Sequence, residues 1–464
     1  MKSENRDILI VSLLIFCSRI PFLFSGFGSE EDAYGLILTA RNISLSGIYE
    51  VSRMPGHPVQ EYLLSFLWEY PSWLLNLLTA LVSTAGISFF MLALKRLHIK
   101  SFLTSGIALA FVPAVFINSS NIMDYTWAMS LILAAFLMAV DKRPLTAGLL
   151  IGLATGFRIT SLGMALPLAL LFIHFPFNRA GIRSVLLFWS SAAIISILVF
   201  LPPYLTYGSS FFMYYQYFPE PPVLKNIYKA TIGAWGLIGW MALIVTGVTA
   251  VRNFFGREFN FNQKIILLAC LIIMVMFAYA YWQLPQKSAF VIPVAPFVIL
   301  ALAVLIRPVV MNYFAAAMIA SSLLLGINLD DANRGSSRSA MSFGFSVAGS
   351  NNAVDLLYGP VYADLTKRQN KTHYAKVVSD RVIASGKKTV LIAGWYQNEI
   401  EYYLLGKSRG NLKTVYYADK DELTGYRNSG YLIYYLPEQD LYNDLRYKGA
   451  FTSTLAESFP DSLP

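Results

Sequence analysis

Charge is scarce in this chain of 464 residues: Asp, Glu, Lys and Arg make up 14% of it, against 56% hydrophobic and 15% aromatic residues. So few charges cannot coat a soluble globule of this size, and the balance is that of a polytopic membrane protein. Cysteine is scarcer still. Cys17 and Cys270 both lie inside apolar runs, which excludes a disulfide framework, and neither has metal-ligand spacing. Solenoid-type repeats and a Gly-rich nucleotide loop are also missing. The net charge of +9 would suit a nucleic-acid partner, but the Lys and Arg residues stand in short clusters between apolar runs, as membrane topology signals do. The first apolar segment, "ILIVSLLIFCSRIPFLFSG", contains Arg19 and lacks a small-x-small cleavage site. It reads as a retained spanning helix rather than a signal peptide.

A spanning helix needs about 20 mostly apolar residues. On that scale about eleven segments qualify, at 8–25, 72–94, 101–118, 125–140, 145–157, 159–175, 184–205, 230–251, 265–282, 288–306 and 309–327. The loops after alternate segments, "KRLHIK", "DKRP", "FNRAGIR", "VRNFFGREFNFNQK" and "RP", collect nearly all the short-loop positive charge together with the N-terminal "MKSENR". The positive-inside rule makes these cytoplasmic. An odd number of spans then places the N-terminus inside and residues 328–464 outside. With no eukaryotic retention signal at "DSLP", the expected location is a bacterial or archaeal inner membrane.

Composition changes near residue 328, where "INLDDANRGSSRSAMSFGFSVAGSNN" reads as a polar linker. Beyond it, "KKTVLIAG", "KTVYYAD" and "GYLIYYL" read as strands, and "WYQNEIEYYLLG" and "KDELTGY" as helices. That alternation predicts a small extracytoplasmic α/β domain over 328–464, attached to a membrane domain over 1–327. Its tyrosines suit either glycan stacking or an ordinary core with amphipathic rims.

The first outward loop, 26–71, holds the unusual residues. "GFGSEEDAYG" sets Glu30, Glu31 and Asp32 side by side near the membrane, followed by a helix over 33–46. "RMPGHP" is a rigid turn that holds Arg53 and His57, and 59–70 predicts an interfacial helix with Tyr62, Phe66 and Trp68 toward lipid. A carboxylate can take a proton from a hydroxyl nucleophile, and Arg can grip phosphate through paired hydrogen bonds. The same acids could equally serve as a solvated topology signal, and Arg53 as a snorkelling side chain. Asp124 reads as a helix N-cap or a second acid, and His57 as an exposed turn residue or a group supporting the site. Arg158 is a charge between apolar runs, Lys287 a loop lysine at the interface, and Arg19 a structural partner for a loop acid.

Over residues 18–67, and in layout over roughly 1–327, the sequence resembles the GT-C membrane glycosyltransferases, among them the protein mannosyltransferases and lipid A aminoarabinose transferases. Glu31, Asp32 and Tyr34 match the acidic pair and following aromatic, and Arg53, Pro55, Gly56 and Pro58 match the turn. Asp124, the glycine-rich "GLLIGLATGFRITSLGMALP" with Arg158, and "LPQKSAFVIPVAPFVIL" with Lys287 are fainter echoes. The triplet departs from the usual Asp-Glu order, and Ala289 stands where the family's late motif has Arg. The resemblance implies inverting transfer of a sugar from a polyprenyl-phosphate donor to an acceptor on the outer face. It implies a base drawn from Glu30, Glu31 and Asp32, a phosphate site from Arg53, His57, Arg158, Lys287, Tyr34 and Asp124, and no divalent metal or other cofactor. The rivals are a lipid-diphosphate oligosaccharide ligase or polymerase, for which loop 206–229 is short, and a lipid transporter. A transporter predicts mid-membrane ionisable residues and repeat symmetry, whereas this chain gathers its ionisable residues in the outer loops, which favours the enzyme.

Overall fold

The computed structural model describes residues 2–173, 178–211, 223–284, 287–328, 341–347, 350–408, 410–436 and 457–459. Parts of loop 206–229, of the polar stretch after 328 and of the C-terminal end lie outside these residues.

Helices dominate. The first is α1 (Lys2–Arg19), followed in the outward loop by α2 (Glu31–Ser46) and α3 (Pro58–Ser65). Then come α4 (Ser72–Arg96), α5 (Phe102–Ala110), α6 (Pro113–Asn118), α7 (Tyr125–Val140), α8 (Pro144–Phe157) and α9 (Ala165–Ala169). The bundle continues with α10 (Arg179–Tyr207), α11 (Val223–Ala230), α12 (Ile232–Trp235), α13 (Leu237–Gly256), α14 (Phe261–Gln283), α15 (Ala295–Leu305) and α16 (Pro308–Leu323). Among the described residues four helices are long and apolar enough to cross a bilayer unaided: α4, α10, α13 and α14. Five shorter apolar helical stretches pack among them.

Two breaks explain the shorter pieces. Pro113, which lacks an amide hydrogen and disfavours helix at the residue before it, divides the 101–118 segment; Val112 is extended. Gly236, at φ +69°, divides 230–251. Small residues bring the long helices together. A Cβ on Gly148 would lie 2.3 Å from the Phe188 carbonyl oxygen, so α8 and α10 meet backbone to backbone. Outer faces stay apolar: Leu186, Ile197 and Leu205 on α10, and Leu271, Val275 and Tyr279 on α14, are all exposed. An uncovered apolar surface of this extent suits lipid, and the architecture is a membrane-protein fold.

After α16 the chain forms two sheets. β1 (Leu325–Asn328), β2 (Ser342–Val347) and β3 (Ser350–Leu356) pair antiparallel in the order β1-β3-β2. Part of the stretch read as linker, residues 327–328, 342–347 and 350–352, is therefore sheet, because ladder hydrogen bonds tolerate Ser, Gly and Asn in a small exposed hairpin. Next come α17 (Pro360–Ser385), β4 (Thr389–Ile392), α18 (Gln397–Tyr403), β5 (Leu412–Val415), α19 (Lys420–Asn428), β6 (Leu432–Tyr435) and β7 (Glu457–Ser458). These strands are parallel in the order β5-β4-β6-β7, and β4 is buried along its whole length as a central parallel strand should be. The helix α17 went unread in the sequence. Its signals are Pro360 at the first turn and Gly386 at φ +61° after the last, but Arg368, Lys371 and Ser379 interrupt its buried face.

Candidate functional site

One buried carboxylate shapes the outward loop. Glu61 of α3 is fully buried and accepts four hydrogen bonds: from Tyr49 Oη (2.6 Å), Ser52 N (2.8 Å), Ser52 Oγ (2.7 Å) and His57 N (3.1 Å). Burial raises its pKa against the pull of these donors. Gly56, at φ +101°, closes the turn where a Cβ would lie 2.8 Å from Tyr49 Oη. The loop between α2 and α3 thus folds back on Glu61 and turns Arg53 and His57 inward.

There they join a row of alternating charges. Lys287 Nζ lies 2.5 Å from Glu30 Oε2 and also bonds the Asp32 carboxylate. Arg53 Nη1 reaches Asp32 Oδ2 at 2.8 Å, and its Nη2 bonds Asp124 Oδ1. Arg158 Nη1 closes the row on Asp124 Oδ2 at 2.5 Å, its guanidinium 4.4 Å from the Tyr125 ring centroid and 5.1 Å from that of Phe290. Glu30, Lys287, Asp32, Arg53, Asp124 and Arg158 come from five separate stretches of the chain. The Glu30–Asp32 end is the open one, with Asp32 about a third exposed and Asp124 sealed at 1%.

The electrostatics follow from this order. Burial would raise the Asp32 pKa, but Lys287 and Arg53 outweigh it and hold the group well below the usual carboxylate range. Asp124 is likewise depressed: burial opposes ionisation, and Arg158 and Arg53 overcome it. His57 is buried rather than exposed on the turn. Burial lowers its pKa to about 4, so the imidazole is neutral. Its Nε2 accepts from Arg53 Nε at 2.9 Å, and its Nδ1–H therefore donates to the Phe157 carbonyl at 2.5 Å.

Other expectations shift. Asp124 occupies the position before α7 but makes no side-chain capping bond, being engaged by the two arginines. Glu31 turns away from the row. It accepts from Asn398 Nδ2 at 3.2 Å, and burial together with Glu399 raises its pKa to about 8. Tyr34 does not face the row either: its hydroxyl meets Thr372 Oγ1 at 3.0 Å and the side chain is 1% exposed. Among the described residues Arg19 has no acid partner. It donates to the Ala110 carbonyl and to Ser119 Oγ at 3.1 Å, over the Phe116 ring. Of the interfacial trio, Tyr62 and Phe66 are exposed, while Trp68 lies beneath Arg41, 5.7 Å from the guanidinium. Sequence reasoning missed Glu61; its i−4 relation to His57 beside a Pro-Gly-x-Pro turn was the available signal. Among the described residues no group of three or more His, Cys, Asp or Glu has metal-holding geometry.

No protein-family model and no curated protein sequence matches the chain. Solved structures do. ArnT from Cupriavidus metallidurans, in its apo state, superposes with a TM-score of 0.58 at 12% identity, over 92% of this chain and 88% of that one. The same protein bound to undecaprenyl phosphate gives 0.56 at 12% identity, over 91% and 87%. At this identity the likeness speaks for the fold. The chain therefore has the fold of ArnT.

Proposed function

We propose that this protein is a membrane glycosyltransferase that moves a sugar from a polyprenyl-phosphate donor to an acceptor hydroxyl at the outer face of an inner membrane. In this reading about eleven helical segments span the bilayer, the N-terminus is cytoplasmic, and residues 328–464 form an extracytoplasmic α/β domain. The observation that carries the proposal is the charge row. Three cations and three acids, gathered from distant stretches of a charge-poor chain, meet at one end of an apolar bundle.

Asp32 is the base. The acceptor oxygen bonds to the anomeric carbon as its proton passes to Asp32, and the anomeric C–O bond breaks with its electron pair going to the lipid phosphate. Lys287 and Arg53 meet the charge that grows on that phosphate, where fixed donors act most strongly. Arg158 and Asp124 hold Arg53 in place, and neutral His57 fixes its Nε. In the resting arrangement Asp32 is a poor base, because Lys287 and Arg53 stabilise its ionised form. A donor phosphate that draws Lys287 away raises its basicity, so the base is armed by the substrate. ArnT, the structural neighbour, binds undecaprenyl phosphate, which supports a lipid-phosphate donor here.

Membranes bearing the wild type, supplied with a panel of polyprenyl-phosphate sugars and natural acceptors, should consume one donor. Asp32→Asn should lower the rate by at least about a hundredfold, the size of a general-base effect. Full activity in Asp32→Asn would remove Asp32 from the mechanism. A wild type that consumes none of the donors would point instead to lipid transport.

A further inference from the structure

The acid-bearing loops are fastened to the region beyond residue 359, and one helix does most of it. Arg368 of α17 is 1% exposed and donates from Nη1 to the Ser120 carbonyl at 2.9 Å, its Nε standing 2.9 Å from Asp364. One turn on, Lys371 Nζ lies 2.6 Å from Glu399 of α18 and donates to the Ser29 and Trp395 carbonyls, each at 3.4 Å. Thr372 meets Tyr34, and Asn398 donates to Glu31. The Tyr402 ring lies edge-on to Phe27 at 5.1 Å. Ser29 immediately precedes Glu30, and Ser120 lies just before Asp124. A backbone bond from Ile122 N to the Phe27 carbonyl, 3.1 Å, joins the two loops.

We infer that Lys371 and Arg368 are positioning residues of the transfer site, so that the region beyond 359 is a structural part of the catalytic centre. This rests on the function proposed above. A buried ion pair such as Lys371–Glu399 adds little net stability over an apolar pair of like size. What Lys371 supplies and methionine cannot is an N–H directed at the Ser29 carbonyl, one residue from the carboxylate that holds Lys287. Arg53 is also held from outside this loop, by Asp124 and by the turn on Glu61, whereas Lys287 is gripped by Glu30 and Asp32 of the loop itself. Loosening the 27–34 loop should therefore disturb the base and its pairing with Lys287.

The test uses the full chain in lipid nanodiscs. Lys371→Met alone leaves Glu399 buried and unpaired, so the principal variant is Lys371→Met with Glu399→Leu, which keeps the packing apolar. Hydrogen exchange of amides in 27–34 should quicken at least about tenfold while α7 and α10 exchange as in wild type. In the transfer assay kcat should fall at least about tenfold, and Lys371→Arg should restore most of it. Unchanged exchange in 27–34 overturns the inference, as does exchange quickened throughout the chain or a loss of thermal stability with kcat intact. A wild type that turns over no donor sinks the function above, while the exchange measurement still decides whether Lys371 holds the loop.

Discussion

Arg53 Nε donates to His57 Nε2 at 2.9 Å, an arrangement open only to a neutral imidazole. Two basic side chains thus share a hydrogen bond because one of them has surrendered its charge. Burial lowers the His57 pKa from 6.5 to about 4, so the folded state binds its proton less readily than the unfolded chain. The stability this contributes is present above about 6.5 and is lost as pH falls toward about 4. Thermal melts in detergent should fall across that window for wild type, and His57→Gln, which can still accept from Arg53, should flatten the fall.

Glu31 and Asp32 are neighbours in sequence with opposite shifts. Glu31 is raised to about 8, so it is mostly protonated at neutral pH, and its contribution to stability declines as pH climbs from about 4.5 through about 8. Glu31→Gln mimics the protonated acid. It should keep at least about half the transfer rate and reduce that decline, whereas Asp32→Asn loses about a hundredfold. Equal losses in both variants would show that Glu31 takes part in the chemistry.

Lys287 is held by two carboxylates, and an incoming phosphate has to compete with them. Lys287→Met should weaken undecaprenyl phosphate binding by about tenfold, the scale of one charge-assisted contact. Glu30→Gln removes a competitor and should tighten it severalfold. Titration of the reconstituted protein with the lipid, followed by its thermal stabilisation, reads both.

Glu61 accepts four donors in a fully buried site. Glu61→Ala leaves them without a partner and should cost about 3 kcal/mol, with Glu61→Gln recovering part of it. Denaturation midpoints of the purified variants measure the loss, and accelerated proteolysis within 49–57 should accompany it.

Much of the site was visible in the sequence because charge is so rare. Glu30, Asp32, Arg53, Asp124, Arg158 and Lys287 stood out at the ends of apolar runs, and the fold brings all six together. What spacing could not carry was direction. Glu31 and Asp32 are a helical step of one apart, so they point to different sides of α2, one toward Lys287 and the other toward Asn398. Glu61 was invisible for a related reason: its partners lie within twelve residues, but only the closed turn brings them to it. On the fold, the apolar runs were legible while α17 was not, since the buried face of that helix carries an arginine and a lysine that donate to loop carbonyls more than 200 residues earlier. Hydrophobic periodicity does not register a face buried by hydrogen bonds to loop carbonyls.

The row from Glu30 to Arg158 carries as many positive as negative groups, in strict alternation. Such an array cancels its own field within a few ångströms, so from the water outside it the resting site is electrically quiet. A free phosphate drifting in solution meets little pull and finds its cations already engaged. A phosphate tethered to a long hydrocarbon chain is held beside the row by the bilayer, at an effective concentration no dissolved anion reaches. Under the proposed function, selection of a lipid-borne anion over a soluble one is then a matter of which can wait long enough at the opening to break the ion pairs.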